Sequence, residues 1–135
     1  MTTTRTQVFR PLALGTSLPE DSLLIRSAQI SEQLGQMFQI SIMAASEDHN
    51  IKISDIIGQN VTLRLRHKDG SERLWNGFVA QFNQAGDTGE LQQYNMTVVP
   101  WLWFLGRTAD FRVYQDMTVP DIILSIFRDG GFTDF

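Results

Sequence analysis

Two histidines, His49 and His67, are the side chains best suited to acid–base or metal chemistry, and neither has suitable companions in the sequence. A metal site needs several converging ligands, but no HxxxH, HxH or His-carboxylate spacing occurs. Ser46, Asp48 and His49 contain the residue types of a hydrolase triad. They lie within four residues of one polar loop, which cannot orient a nucleophile, a base and a third group toward each other. We therefore expect no metal site and no triad.

Paired carboxylates occur at Glu20-Asp21 and Glu47-Asp48, both in predicted loops. A general acid needs a raised pKa, and no apolar pocket is predicted around either pair. The chain has neither a P-loop nor a GxGxxG motif, and Gly130-Gly131 alone has no such meaning. The sequence therefore predicts a protein that is not an enzyme and binds no cofactor.

The composition is that of one globular domain of 135 residues with a net charge of −4. Nucleic-acid binding needs clustered cations, so this charge argues against a nucleic-acid partner. The longest apolar run, Val98–Leu105, is far shorter than the ~18 residues of a membrane span, and no signal-peptide core precedes it. The absence of cysteine excludes disulfides and thiolate sites. We expect no membrane insertion.

A basic hairpin is the first candidate for a binding surface. The candidate docking residues are Arg64, Arg66, Lys68 and Arg73. They indicate either a strand face kept soluble by its charge or a docking face for an acidic partner. Trp75 is the only neighbouring aromatic that could stack on a single nucleic-acid strand.

The hydrophobic pattern predicts a mainly β fold. Alternation at period two indicates strands over residues 23–31, 36–45, 61–67, 73–82 and 91–99, and a further strand is expected around Gln7–Phe9. Asp69-Gly70 predicts a hairpin turn, and Gly77 a bulge or bend of the kind that closes a barrel. Ser54–Gly58 predicts a one-turn helix with Ser54 as its N-cap. Thr118 is expected to cap a C-terminal helix that ends at Arg128.

The aromatic stretch Tyr94–Arg107 is the most unusual part of the chain. It starts as a strand, which Pro100 ends because proline has no N–H to donate. Residues 101–105 are then predicted to form about one and a half helical turns that end at Gly106. These large side chains either plug the end of the sheet or barrel, or meet another subunit. The candidate core or interface residues are Trp101, Trp103, Phe104, Leu105 and Tyr114.

Four stretches in fixed order resemble the N-terminal, baseplate-hub-like part of the VgrG spike proteins of type VI secretion systems. They are Gln33–Ile42, Ile56–Leu65, Trp75–Phe82 and Tyr94–Leu105, the last continued by Phe111–Asp116 and Val119–Ile122. The last block, with VPWLW and Tyr-Gln-Asp, is the most specific. The resemblance covers residues 23–131, nearly the whole chain. Gln33-Leu-Gly35 departs from the family, which more often has an Ala-Leu-Ser type turn there.

The resemblance implies an antiparallel barrel-like tube domain of the phage hub type. It implies a lead-in over residues 1–22, the first barrel over 23–117, and a helix with the start of a truncated continuation over 118–135. The implied protein is a homotrimer that docks on the hexameric tube protein Hcp and meets baseplate components and effectors. It would be cytoplasmic before firing and would then leave through the apparatus without a signal peptide. No catalytic residue is carried over from the family.

Two other functions stay open. A baseplate hub of a contractile phage would share the same fold. Alternatively, a small β-barrel could act alone as a binding module for an oligosaccharide or a nucleic-acid strand.

Overall fold

The computed structural model describes residues 5–135, which divide into two compact units. One unit runs to Pro100, and the other is Trp101–Phe135. The sequence placed its divisions after residues 22 and 117, and those domain boundaries stay a prediction. Within residues 5–135, no helix has both the length and the apolar character needed to cross a membrane.

The first unit is a six-stranded antiparallel sheet curled into a nearly closed barrel, which confirms the predicted fold class. Its strands are β1 (Leu12–Gly15), β2 (Leu24–Ser31), β3 (Gln39–Ser46), β4 (Asn60–Arg66), β5 (Glu72–Asp87) and β6 (Gln92–Val99). Their order in the sheet is β1-β4-β5-β6-β3-β2. The strands β1 and β2 therefore lie at the two ends of the order and face each other across the remaining seam.

The barrel core follows the alternation of the strands. In β4, Val61 and Leu63 are buried while Thr62 is partly exposed, as period two requires. Tyr94 in β6 is 2% exposed, and its ring stacks on Phe82 of β5 with centroids 5.1 Å apart. An aromatic pair of this kind contributes ~0.5–1.5 kcal/mol beyond the area it buries. The strands β5 and β6 are thus joined by their ladder and by side-chain packing.

The N-terminal segment differs from its prediction. No strand forms around Gln7–Phe9, because the backbone N–H of Arg10 donates to the Gln7 carbonyl at 3.0 Å and closes a turn. The strand begins later, at Leu12, after Pro11. Residues expected in a lead-in thus supply β1, which pairs with β4.

Gly77 has another role than the predicted bulge. The register of β5 shifts at Ala80 and Ala85, not at Gly77. A Cβ at Gly77 would lie 2.6 Å from the Val99 carbonyl oxygen. Glycine is therefore required there because the backbone of β6 approaches closely.

The predicted turn at Ser54 is also corrected. It is a 3₁₀ turn over Ile53–Asp55, and its N-cap is Lys52. The Ser54 hydroxyl instead donates to the Asp55 carboxylate at 3.1 Å, so it does not cap the turn. Gly58 ends the segment with a φ of 73°, a left-handed conformation that suits glycine.

The second unit contains α1 (Leu102–Leu105) and α2 (Val119–Asp129). As predicted, Gly106 follows α1 and Thr118 caps α2, where its Oγ1 accepts a hydrogen bond from the Asp121 N–H at 3.4 Å. Residues 111–114, between the two helices, form no regular element. None of the side chains of residues 101–135 is fully buried.

Candidate interaction surfaces

The loop that carries Ser46 and His49 is held by structural hydrogen bonds. Ser46 is 1% exposed, and its hydroxyl oxygen accepts a hydrogen bond from the Asp48 N–H at 3.0 Å. The Tyr94 hydroxyl donates to the Asp48 carbonyl at 3.0 Å. His49 faces another partner, because its Nδ1 lies 3.7 Å from Oδ2 of Asp87. The Ser46 hydroxyl therefore stabilises the turn of this loop.

Each of the two carboxylate pairs has a member engaged in structural contacts, Asp21 in one and Glu47 in the other. Hydrogen bonds from the Thr6 hydroxyl and the Gln7 N–H hold the pKa of the Asp21 carboxyl below its usual value. Such a shift keeps the carboxylate charged, whereas a general acid needs the opposite shift. Glu47 pairs with Arg5 at 3.3 Å. In residues 5–135, no cluster of three or more metal-ligating side chains occurs. The absence of catalysis, metal and cofactor stays a prediction.

The predicted docking residues lie on one hairpin, and three of the four are in ion pairs. Arg64 and Arg66 both contact Oε1 of Glu72, at 3.2 and 3.0 Å. Two cations thus share one carboxylate, which leaves that part of the surface positive. Lys68 is exposed at the tip of the hairpin. Exposed ion pairs contribute little to stability. The role of these residues as a docking face stays a prediction.

A second ion pair on this face involves a residue distant in the sequence. Nη2 of Arg73 lies 2.6 Å from Oε2 of Glu32. The other carboxylate oxygen of Glu32 accepts the indole N–H of Trp75 at 2.9 Å, and the Arg73 guanidinium lies 4.5 Å from the Trp75 ring centroid. Trp75 is only 7% exposed. The ring packs in the barrel core, so it offers no solvent-facing surface for stacking on a nucleic-acid strand.

A groove beside this hairpin was missed by the sequence analysis. It encloses about 600 Å³ and runs along β1, with Val8, Leu18, Leu74 and the two arginines of β4 in its lining. Leu74 is 60% exposed. The sequence signal for this groove was Leu74, an apolar residue that faces outward between Arg73 and Trp75.

The aromatic segment forms its own cluster within the second unit. The Trp101 ring lies 4.9 Å from both the Phe127 and the Phe132 rings. Trp103 packs edge-on against Phe104 at 5.4 Å, and the Arg107 guanidinium lies 4.1 Å from the Trp103 ring. The predicted core or interface residues, Trp101, Trp103, Phe104, Leu105 and Tyr114, are all half-buried. Their role in a core or at a subunit interface stays a prediction.

Large apolar side chains of the second unit are strongly exposed. Phe111 and Val113 are 103% and 88% exposed, and Val119 on α2 is 68% exposed. Exposed apolar surface of this density is typical of a contact site. The second unit is thus the better candidate of the two units for a surface that contacts another chain.

Comparison with known proteins identifies the family. A family model described as phage tail baseplate hub (GPD) matches residues 31–135. This chain belongs to the phage tail baseplate hub family. The hub match includes β3 to β6 and both helices, while the residues before it supply β1 and most of β2.

The relatives of this hub chain include spike proteins, which confirms the resemblance predicted from the sequence. It is 35% identical over 129 residues to the type VI secretion system spike protein VgrG1a of Pseudomonas aeruginosa, and 36% identical over 129 residues to VgrG1b of the same organism. Each alignment covers 96% of this chain but only 20% and 17% of the relatives. The chain thus spans about a fifth of the length of these spike proteins.

A solved structure supports the fold independently. The E. coli c3393 protein, a component of the type VI secretion system with structural similarity to the T4 bacteriophage tail proteins gp27 and gp5, matches with a TM-score of 0.76. The match covers 87% of this chain and 32% of that protein, at 21% identity. Because the two sequences are only 21% identical, this likeness supports the fold of the hub chain and nothing beyond it.

Proposed function

We propose that this chain is the N-terminal hub module of a type VI secretion spike and has a structural role in a contractile injection apparatus. In this role it joins a homotrimer that docks on a hexameric, Hcp-like tube and on baseplate components. The spike and its effectors are then delivered into target cells. The observation that carries the proposal is the similarity to VgrG spike proteins over 96% of the chain.

The two units supply different parts of this role. The barrel offers the hairpin at Arg64 and Arg66, where a shared carboxylate leaves positive charge for an acidic surface of the tube protein. The second unit offers exposed apolar groups, including Phe111 and Val119, for contacts between subunits. The hub role thus uses both surfaces.

The module acts without catalysis in this proposal. Ser46, Asp21 and Glu47, which could be mistaken for reactive groups, are engaged in loop and ion-pair contacts. The protein is cytoplasmic before firing and then leaves through the apparatus.

One alternative is favoured by a specific observation. The matching family is described by the phage tail baseplate hub, so a hub of a contractile phage is the second candidate. A binding module that acts alone is the third candidate, and the groove of about 600 Å³ along β1 is a site that it could use.

Secretion of the tube protein tests the proposal. In the organism that encodes this chain, deletion of its gene should remove the tube protein from the culture medium, and the native gene should restore it. Normal release of tube protein without the gene would contradict the secretion role. Loss of phage particles with normal release would instead support the phage hub.

A charge-reversal pair tests the docking face. The double variant Arg66→Glu with Lys68→Glu should reduce release, because it replaces positive charge at the proposed contact with negative charge. The double variant Arg26→Glu with Lys52→Glu is the matched control, since both are exposed cations outside the hairpin and the change in charge is the same. Equal release by the two variants would show that the hairpin is only a solvated face.

A further inference from the structure

The strands β1 and β2 stand at the two ends of the strand order and meet at a seam. Within the described residues, no ladder of backbone hydrogen bonds joins these two strands. Leu14 on one side and Ile25 on the other are 6% and 4% exposed. A buried backbone N–H needs a hydrogen-bond partner, because water cannot reach it. The question is therefore what these two N–H groups bond to.

One side-chain carboxamide serves both strands. Oε1 of Gln7 accepts a hydrogen bond from the Leu14 N–H at 3.1 Å and another from the Ile25 N–H at 3.2 Å. Nε2 of Gln7 donates to the Leu14 carbonyl at 3.3 Å. The carboxamide thus acts as a peptide group of a missing strand would, with its acceptor and donor both used.

Gln7 is itself anchored. It is 5% exposed, and its backbone N–H donates to Oδ1 of Asp21 at 2.9 Å. Asp21 has a φ of 60°, a left-handed conformation that is uncommon outside glycine. Two residues earlier, Arg5 pairs with Glu47 at 3.3 Å and with Glu90 at 2.7 Å. Residues 5–7 are therefore held at both ends.

We propose that residues 5–7 are a strap that closes the barrel, with the Gln7 carboxamide as its clasp across the β1–β2 seam. The inference does not depend on the proposed function. The match to the hub family begins at residue 31, so the strap, β1 and all but the last residue of β2 lie before it. Closure by the strap removes a free sheet edge that would otherwise be open to pairing with another chain.

The chemistry of the clasp is specific to glutamine. Methionine has nearly the same length but no carboxamide, so Gln7→Met keeps the packing and removes all three hydrogen bonds. Asparagine keeps the carboxamide but is one methylene shorter, so Gln7→Asn cannot reach both strands. Gln29→Met is the matched control, because Gln29 is an exposed glutamine on β2.

Backbone hydrogen exchange, followed by NMR, tests the clasp. In the unmodified chain, the N–H groups of Leu14 and Ile25 should be protected although no strand ladder joins β1 to β2. In Gln7→Met they should exchange about fivefold faster relative to the N–H of Met96 in β6, since one lost hydrogen bond corresponds to about that factor. Gln29→Met should leave this ratio unchanged.

Two results would overturn the proposal. One is that, in the unmodified chain, the Leu14 and Ile25 N–H groups exchange as fast as unprotected amides. This measurement needs no variant. The other is a ratio that stays the same in Gln7→Met. If Gln7→Met does not fold, Gln7→Asn replaces it. Gln7→Asn should speed the exchange of the Leu14 N–H, the Ile25 N–H or both, again measured relative to the N–H of Met96.

Discussion

Replacement of Gly77 by alanine should destabilise the barrel, although the same change elsewhere often stabilises a protein. Gly→Ala commonly adds ~0.4–1 kcal/mol where the backbone permits it, because the unfolded chain loses freedom. At Gly77 the new Cβ would lie 2.6 Å from the Val99 carbonyl oxygen and 2.8 Å from Cγ1 of Val98. The first of these atoms is backbone in β6, so it can move only if the strand moves.

The expected magnitude follows from the cost of overpacking. Such insertions typically cost ~1–3 kcal/mol. For the barrel unit, which runs to Pro100, 1 kcal/mol corresponds to a change of roughly 4–8 °C in melting temperature. We therefore expect the melting temperature of Gly77→Ala to fall by at least about 4 °C, with a lower urea midpoint.

A glycine on the same strand provides the control. A Cβ at Gly86 would have no neighbour closer than Oε1 of Gln93 at 4.0 Å, which is the end of a flexible side chain. Gly86→Ala should therefore be neutral or nearly so. A thermal and urea melt in which Gly77→Ala is as stable as Gly86→Ala would refute the close approach of β5 and β6 as the reason for glycine.

Three further predictions concern other parts of the chain. Trp101→Ala should destabilise the second unit by less than the ~3–5 kcal/mol typical of a fully buried tryptophan, because the ring is only half-buried; a larger loss in a melt would refute this. Because the pKa of Asp21 is lowered, its stabilising effect is present above the usual carboxyl pKa and lost as pH falls through the lowered one. Acid unfolding of Asp21→Asn should then depend less on pH than that of the unmodified chain, and an identical profile would contradict the assignment. The exposed groups of the second unit predict weak, concentration-dependent association in light scattering, and a sharp monomer at high concentration would contradict it.

The barrel strands were predictable because their signal is local. Val61 and Leu63 alternate with Thr62, and this pattern alone decides which side of β4 faces the core. The Asp69-Gly70 turn was equally local, since Gly70 has a φ of 86°. The cap at Thr118 depends on a spacing of three residues and was found for the same reason.

The features that the sequence analysis missed depend on distant partners. Gln7 looks like a residue of a polar segment, and its role exists only because Leu14 and Ile25 are brought together by the closing barrel. Gly77 resembled a bulge because the approach of β6 leaves no local mark. The hydrogen bond of Trp75 to Glu32 joins residues 43 positions apart, so it also leaves no local mark. The family resemblance was detected because several stretches recur in order, whereas the candidate surfaces had no such repeated signal.

The stoichiometry of a spike protein that contains this chain tests the central proposal most directly. Such a protein should be purified, mixed with the tube protein from the same organism, and measured by native mass spectrometry and electron microscopy. The proposal predicts three copies that cap one hexameric ring of tube protein. A monomer that leaves the tube protein unbound would contradict it.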